Sequence, residues 1–432
     1  MSQLFSENRR TKKNLKTPKE IIWENQEKDN NTLNIIFLIL FKLVWLILMS
    51  IRLIAIPFFD FKIGILYSKK IGRFLGNTEF YLRKISLEKN KKKFHVILSG
   101  KSINHQVLTM ISRKVFLIRN QVLYNFFNKI KKISLGSDIW IDLNITGWLR
   151  GSLWTGAAPQ LKFTDEEIKK GKDLLLEIGL KKDSKFVCIF AKDKLYSDDP
   201  EEPPKPDTFW YKKDFRNCDI NNYLSAAEYL TKKNIYVLRM GLHKPKKKLI
   251  SNNEKIIDYS NDIRPFLKDP EFADVFLSAK CKFFIGCTSA TYQFASIFNT
   301  PVAYTNMIPY GECGRNFHDI VIFKKCENRN TKKVLSIQEC IKKGITGDWL
   351  TENKILELEN DNIFFKENSS EEILDLTIEM NDRLNNDWSS QKDEEILQKK
   401  FLKITNIYSS DGSVFPGKVG YNFFKKNTFL IN

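Results

Sequence analysis

The sequence is poor in the residues that hold metals or staple small folds. It has four histidines and seven cysteines in 432 residues, with no Cys-X-X-Cys pair and no histidine partner at zinc-ligand spacing. An odd number of cysteines fits reduced thiols better than a disulfide framework, which points to a cytosolic face. No Gly-X-Gly-X-X-Gly run follows a strand-like segment, which argues against a dinucleotide oxidoreductase. The fragment Ser99-Gly100-Lys101-Ser102 resembles the end of a phosphate-binding loop, yet His95 stands where that loop needs glycine, so the match to an ATP or GTP enzyme fails. The stretches "DLNIT" and "SDDPEE" hold no persuasive Asp-X-Asp motif, so a metal-independent chemistry is expected. Internal repeats and low-complexity tracts are absent.

What is present is size, positive charge and one long apolar run. A chain of 432 residues exceeds the size at which single cores stop growing, so two domains with appendages are expected. The formal charge is +19. Between Asp60 and Leu135, 17 Lys or Arg face three acids, Asp60, Glu79 and Glu88, a surplus of 14 in that segment. Such a surplus suits an anionic acceptor or anionic lipid headgroups, with ordinary solvated lysines as the plain alternative. A basic nucleic-acid-binding protein is the rival from another class; the apolar run and the lack of a recognition module stand against it.

The run Ile35 to Phe59, "IIFLILFKLVWLILMSIRLIAIPFF", is long enough for a bilayer core if Lys42 and Arg52 are accommodated. It follows a basic polar tail over residues 1–33 and lacks a cleavage site, so it does not read as a signal peptide. Two readings remain, a spanning helix and a helix lying in the interface with Lys42 and Arg52 snorkelling. Basic residues flank both ends, which would place both flanks on the cytoplasmic side and favours a monotopic or re-entrant anchor over residues 34–59.

Strand-like and helix-like segments then alternate. "FKIGILYS", "FHVILSG" and "KVFLIR" read as strands; "TEFYLRKISL", "INHQVLTMISR" and "QVLYNFFNKIKK" read as helices, with "KKIGRFLGN" a loop. This is the βαβ pattern of a parallel sheet, giving a first domain over 60–160. A capping box, Thr164 with Glu167, opens the next unit, and its helix stops at Gly179. "KFVCIFAKD", "IYVLRMG", "KIIDYS" and "KFFIGC" supply strands between helices, giving a second α/β domain over 161–350. The "DDPEEPPKPD" loop over 196–211 is too acidic and Pro-rich for regular structure. A C-terminal helical extension over 351–432 starts at a Ser-Ser-Glu-Glu cap.

Ligands of open α/β sheets bind outside the carboxyl ends of the strands. Those ends carry Lys192, Arg239 with Gly241, Asp258 with Tyr259, and Gly286 with Thr288 and Ser289. Two cations, small hydroxyls and glycines on one edge suit a diphosphate. If "TSATYQFASIF" begins a helix, Thr288 or Ser289 caps it, and its free N–H groups attract a phosphate. A plain cap and a surface ion pair at Arg239 are the ordinary alternatives. In the first domain, Glu79 and His105 begin helices after strand ends and are the candidates for a base.

The succession "LKFTDEEIKKG", "FVCIFAKDKLY", "IYVLRMG", "IIDYS", "KCKFFIGCTSATYQFASIFNTPVAYTN" and "VGYNFFKKN", with "KKIGRFLGNTEFYL" before them, resembles a family of bacterial glycosyltransferases of surface polysaccharide synthesis. The resemblance implies a GT-B architecture, two Rossmann-like domains facing each other. The second would bind the nucleotide-sugar donor through Lys192, Arg239, Gly241, Asp258, Tyr259, Gly286, Thr288, Ser289 and Asn306. The first would present a glycan or lipid-linked acceptor to a base, His105 or Glu79, with no cofactor beyond the nucleotide-sugar substrate and no nucleic acid. The sequence departs from the family pattern at Lys192, where arginine is expected, and at Ala290, where glycine is common. A membrane-tethered scaffold that binds sugar or nucleotide without catalysis is the alternative reading.

Overall fold

In a computed structural model of the chain, residues 31–432 are described apart from 89–91, 135–136, 142, 144–150, 195–206, 210–212, 243–246, 311–313, 347–349 and 407–415. The basic tail through residue 30, the "SDDPEE" stretch and most of the Pro-rich loop and of "DLNIT" therefore lie outside the described residues.

The apolar run forms one helix, α1 (Asn31–Ala55). Its segment Leu38–Ala55 is long and apolar enough to cross a membrane. The chain then enters a four-stranded sheet of β1 (Asp60–Leu66), β2 (Lys93–Ser99), β3 (Phe116–Arg119) and β4 (Trp140–Ile141). Every pairing is parallel and the order is β3-β2-β1-β4. The last four residues of β1 are buried, as a strand covered on both faces demands. Helices α2 (Thr78–Leu87), α3 (His105–Ser112) and α4 (Gln121–Ile133) connect the strands. Asn104 and Asn120 cap α3 and α4 through the N–H groups of Val107 and Leu123, each 2.9 Å away. The segment expected as a loop before α2 instead winds into a π-helical turn over Arg73–Asn77, because Phe74 and Leu75 are drawn fully into the core.

A short helix, α5 (Gly151–Gly156), leads to α6 (Asp165–Glu177), which is capped by the expected box of Thr164 and Glu167. Gly179 has a positive φ of 84°, a left-handed conformation that ends the helix. The second sheet holds β5 (Phe186–Phe190), β6 (Tyr236–Arg239), β7 (Ile256–Ile257), β8 (Phe284–Gly286), β9 (Val302–Met307), β10 (Ile320–Phe323) and β13 (Lys418–Val419). It too is parallel throughout, in the order β13-β10-β9-β8-β5-β6-β7. β11 (Lys325–Asn328) and β12 (Ile363–Lys366) form a separate antiparallel pair.

Helices α7 (Leu224–Lys232), α8 (Pro270–Lys280), α9 (Gln293–Ser296), α10 (Ile337–Lys342), α11 (Glu352–Asn360), α12 (Ser370–Asn385), α13 (Glu394–Thr405) and α14 (Tyr421–Lys426) complete the fold. The segment expected as a helical extension is more integrated than that. It supplies β12 and the edge strand β13, and α12 packs on α7 and on β9 and β10. Its apolar residues Ile373, Leu376 and Met380 are buried in the second domain's core.

In both sheets the first strand of the set, β1 or β5, lies beside the strand that reverses the order, β4 or β8. That reversal is the crevice where α/β sheets bind ligands. The carboxyl edges of the two sheets meet at one seam. The turn after β1 packs on α9, which follows β8, so closely that a Cβ on Gly76 would collide with Gln293. Asn104, before α3, donates to the Glu271 carbonyl of α8 at 3.0 Å.

Candidate active site

Three cations converge at the β5/β8 reversal. Lys192, just past β5, is 4% exposed, and its Nζ lies 2.9 Å from Asp214 Oδ2 and 3.2 Å from Asn217 Oδ1. Arg216 grips both oxygens of Asp214, at 2.8 and 2.6 Å. Burial raises the Asp214 carboxyl, but the hydrogen bond and charge of Arg216 and the charge of Lys192 outweigh it and leave the group below the ordinary range. Lys324, past β10, reaches the same loop and donates to the Asn217 carbonyl at 2.6 Å. Cys287, past β8, accepts from the Lys192 N–H at 3.2 Å, which ties the ends of β5 and β8 together. Burial alone would raise its thiol; hydrogen bonds from Cys218 and the Lys192 N–H, with the nearby lysine charges, turn the direction downward.

Lys192 lies just past the end of β5, and Arg239, at the end of β6, has a carboxylate partner of its own. Its side chain is buried against Asp258, 3.1 Å away and itself buried. Asp258 accepts the N–H groups of Leu249 and Asn261 and caps the turn that begins at Tyr259. Tyr259 is buried, donating to Asp274 at 3.0 Å. The Gly241 carbonyl accepts from Ser260 Oγ at 3.1 Å. Arg239, Gly241, Asp258 and Tyr259 thus hold the β6–β7 side of the sheet together through contacts within the protein.

The turn after β8 also differs from expectation. The helix is a single turn, α9, and its N-cap is Tyr292 with no side-chain bond, so neither Thr288 nor Ser289 caps it. Ser289 Oγ accepts from the Thr291 N–H at 3.4 Å. Thr288 Oγ1 donates to the Asn306 carbonyl and accepts from the Ile308 N–H, both at 3.0 Å, lacing the exits of β8 and β9. Gly286 lies where a Cβ would press on Phe284 and Tyr292. Asn306 is buried in a reciprocal pair with Asn368, at 2.6 and 2.8 Å, which anchors the start of α12.

Of the two proposed bases, Glu79 is enclosed by partners within the protein. It is fully buried, ion-paired to Arg83 at 2.8 Å, and accepts the N–H groups of Gln160 and Leu161 at 2.8 and 3.2 Å. Burial pushes its carboxyl up, against the pull of Arg83. His105 opens α3 at the seam with a side chain 69% exposed; Glu271 of the second domain takes its Nδ1 at 3.0 Å. That carboxylate fixes the ring and leaves Nε2 as the atom that can take a proton.

Lys324, Arg216 and Asp214 are the residues sequence reasoning missed. Lys324 follows a strand, "DIVIF", and the same carboxyl-end rule finds it. Arg216 and Asp214 lie on a crossover loop, where no periodic signal marks them.

No protein-family model matches the chain, and no curated protein is significantly similar to it. Among solved structures it is similar to a glycosyl transferase family 9 protein from Veillonella parvula DSM 2008, at 10% identity and a TM-score of 0.36, over 70% of this chain and 97% of that one. It is similar to the E. coli ADP-heptose LPS heptosyltransferase II at 11% identity and a TM-score of 0.36, over 70% and 98% of the two chains. The bacterial iron-containing dodecameric glycosyltransferase TibC, from enterotoxigenic E. coli H10407, is similar at 10% identity and a TM-score of 0.32, over 61% and 62%.

Proposed function

We propose that this chain transfers a glycosyl group from a nucleotide-sugar donor to a membrane-associated glycan or lipid-linked acceptor in cell-surface polysaccharide synthesis. The observation that carries this reading is the convergence of Lys192, Arg216 and Lys324 on one loop at the β5/β8 reversal. Glycosyl transfer from a nucleoside diphosphate sugar releases a nucleoside diphosphate, and fixed cations stabilise that charge without reorganising during the reaction. No resident metal is invoked, since these side chains supply the charge. The acceptor hydroxyl enters from the first domain, where His105, oriented by Glu271, serves as base.

The described cysteines are all unpaired thiols, in keeping with a reducing compartment and the cytoplasmic face of the membrane. The test is a screen of UDP, GDP, ADP, CMP and dTDP sugars for thermal stabilisation, followed by turnover assays. One nucleotide class should raise the melting temperature, and Lys324→Ala should weaken that effect. Binding without turnover on any membrane acceptor makes the protein a sugar- or nucleotide-binding scaffold; no stabilisation by any of them overturns the donor site.

A further inference from the structure

Helix α1 is apolar on two opposite faces, and only one of them is used by the protein. Phe41, Val44, Trp45, Leu48, Met49 and Arg52 recur at helical spacing and are half-buried or buried against the first domain. Phe41 meets Phe126 of α4 with ring centroids 5.2 Å apart. Met49 Sδ lies 3.5 Å from Ser137 Oγ, and Arg52 pairs with Asp138 at 2.6 Å. The helix is thus fastened along its side from Phe41 to Arg52, roughly 16 Å at 1.5 Å per residue.

The opposite stripe, Ile39, Leu43, Leu46, Ile47, Ile51 and Ile54, is 48–72% exposed. Ser50 lies on the same side, and its hydroxyl donates to the Leu46 carbonyl at 3.0 Å, which hides its polarity. Past the helix, Phe58 is 71% exposed, and Phe59, Phe94 and Phe116 follow in a chain of ring contacts. Lys42, Lys129 and Lys132 stand exposed on α1 and on the helix beside it.

A helix fastened sideways to a folded domain cannot cross a bilayer without taking that flank with it. Asp138, with a side chain 70% exposed, and the exposed Lys129 and Lys132 of α4 would then enter hydrocarbon. A helix lying in the interface meets no such conflict, since its free stripe enters the acyl boundary while the lysines reach phosphate headgroups. We infer that α1 is an in-plane docking helix for an anionic lipid surface, with its outward stripe and the Phe58 ledge in the bilayer and both of its ends on one side. This rests on the membrane-associated part of the proposed function and fixes the geometry of that association.

The test uses the full chain. Ile47→Cys carrying an environment-sensitive fluorophore should shift to the blue on vesicles containing phosphatidylglycerol and be quenched by brominated lipid; a label at Lys129→Cys should not be deeply quenched. The pair Leu43→Glu with Ile47→Glu should lower vesicle partitioning about tenfold or more. Both positions are exposed, so the melting temperature in detergent should hold. In sealed membrane vesicles, an N-terminal tag and the folded body should be digested from the same side. A tag protected while the body is digested means a spanning helix and overturns the inference, as does unchanged partitioning of the double variant. Nucleotide affinity, measured by calorimetry in detergent, reports on the transferase reading separately, because it does not involve α1.

Discussion

Lys192 and Arg239 end neighbouring parallel strands and are each buried against a carboxylate, but Asp214 beside Lys192 is also held by Arg216, whereas Asp258 is paired with Arg239. Lys192 belongs to a group of three cations at the sheet's order reversal. Lys192→Ala should therefore weaken nucleoside diphosphate binding by about 1.5 to 3 kcal/mol, the range for hydrogen bonds to charged groups. Arg239 is sealed against Asp258, so Arg239→Ala leaves a buried carboxylate without its cation and should lower stability by about 3 to 5 kcal/mol. Calorimetry and urea unfolding on the same two variants separate these outcomes. A loss of affinity in Arg239→Ala with unchanged stability would restore that residue to the ligand site. The contrast shows why a strand-end cation is only half legible in sequence: the rule gives its place on the edge, but whether a carboxylate on the next strand claims it depends on register. Val237 and Leu238 pair with Ile256 and Ile257, and this brings Arg239 level with Asp258.

At the scale of elements, the segment between β9 and β10 is pinned by one carboxylate. Asp319 accepts the N–H of Val302 on β9 at 2.9 Å, and those of Arg315 and Asn316 at 2.8 and 3.0 Å. Burial is the largest influence on it and, against these N–H groups and the Arg315 charge, lifts its pKa from 3.8 to about 6. A carboxyl with a raised native pKa holds its proton longer in the folded state. Its contribution to stability is therefore greatest below the unfolded value and falls as pH rises from about 4 to about 6. Denaturant unfolding of the protein and of Asp319→Asn across that window should show the stability gap narrowing with rising pH and then holding level. A gap that widens instead would mean that Asp319 is ionised throughout.

The strands of this sheet were largely legible, since continuous apolar runs such as "FVCIF" of β5 mark strands covered on both faces. The turn after β8 was not. "TSATYQFASIF" has the composition of a helix opening, but Asn299 takes a left-handed φ of 61° and Pro301 follows, leaving room for one helical turn. Asn306 misled in the same way: its place at a strand end is visible, while its partner Asn368 lies 62 residues on.

For the whole molecule, the question is what holds the two parallel sheets together across their seam. Arg83, on the first domain's α2, is fully buried and spends all of its donor nitrogens there. Nε bonds Glu79 at 2.8 Å; Nη1 bonds the carbonyls of Trp154 and Ala157 at 2.8 and 3.2 Å; Nη2 bonds the Ile297 carbonyl and Asn299 Oδ1 of the second domain at 3.0 and 2.9 Å. Its guanidinium also lies 4.6 Å from the Trp154 ring. One side chain thus joins α2, the end of the first domain around α5, and the turn after α9 in the second domain. Glu79, read from sequence as a base, is the counter-charge that makes this joint affordable, and its i,i+4 spacing to Arg83 was visible without a structure. Arg83→Met should cost about 3 to 5 kcal/mol, because it strands the Glu79 carboxylate in a dry site. It should also loosen the coupling between domains, so that one calorimetric transition separates into two. The double variant Arg83→Met with Glu79→Met removes the stranded charge and should recover part of the lost stability without restoring the single transition, because the bonds to Ile297 and Asn299 stay broken. If both variants unfold in one transition at the original temperature, the domains are joined elsewhere along the seam, with the α3–α8 contact through Asn104 and His105 the next place to cut.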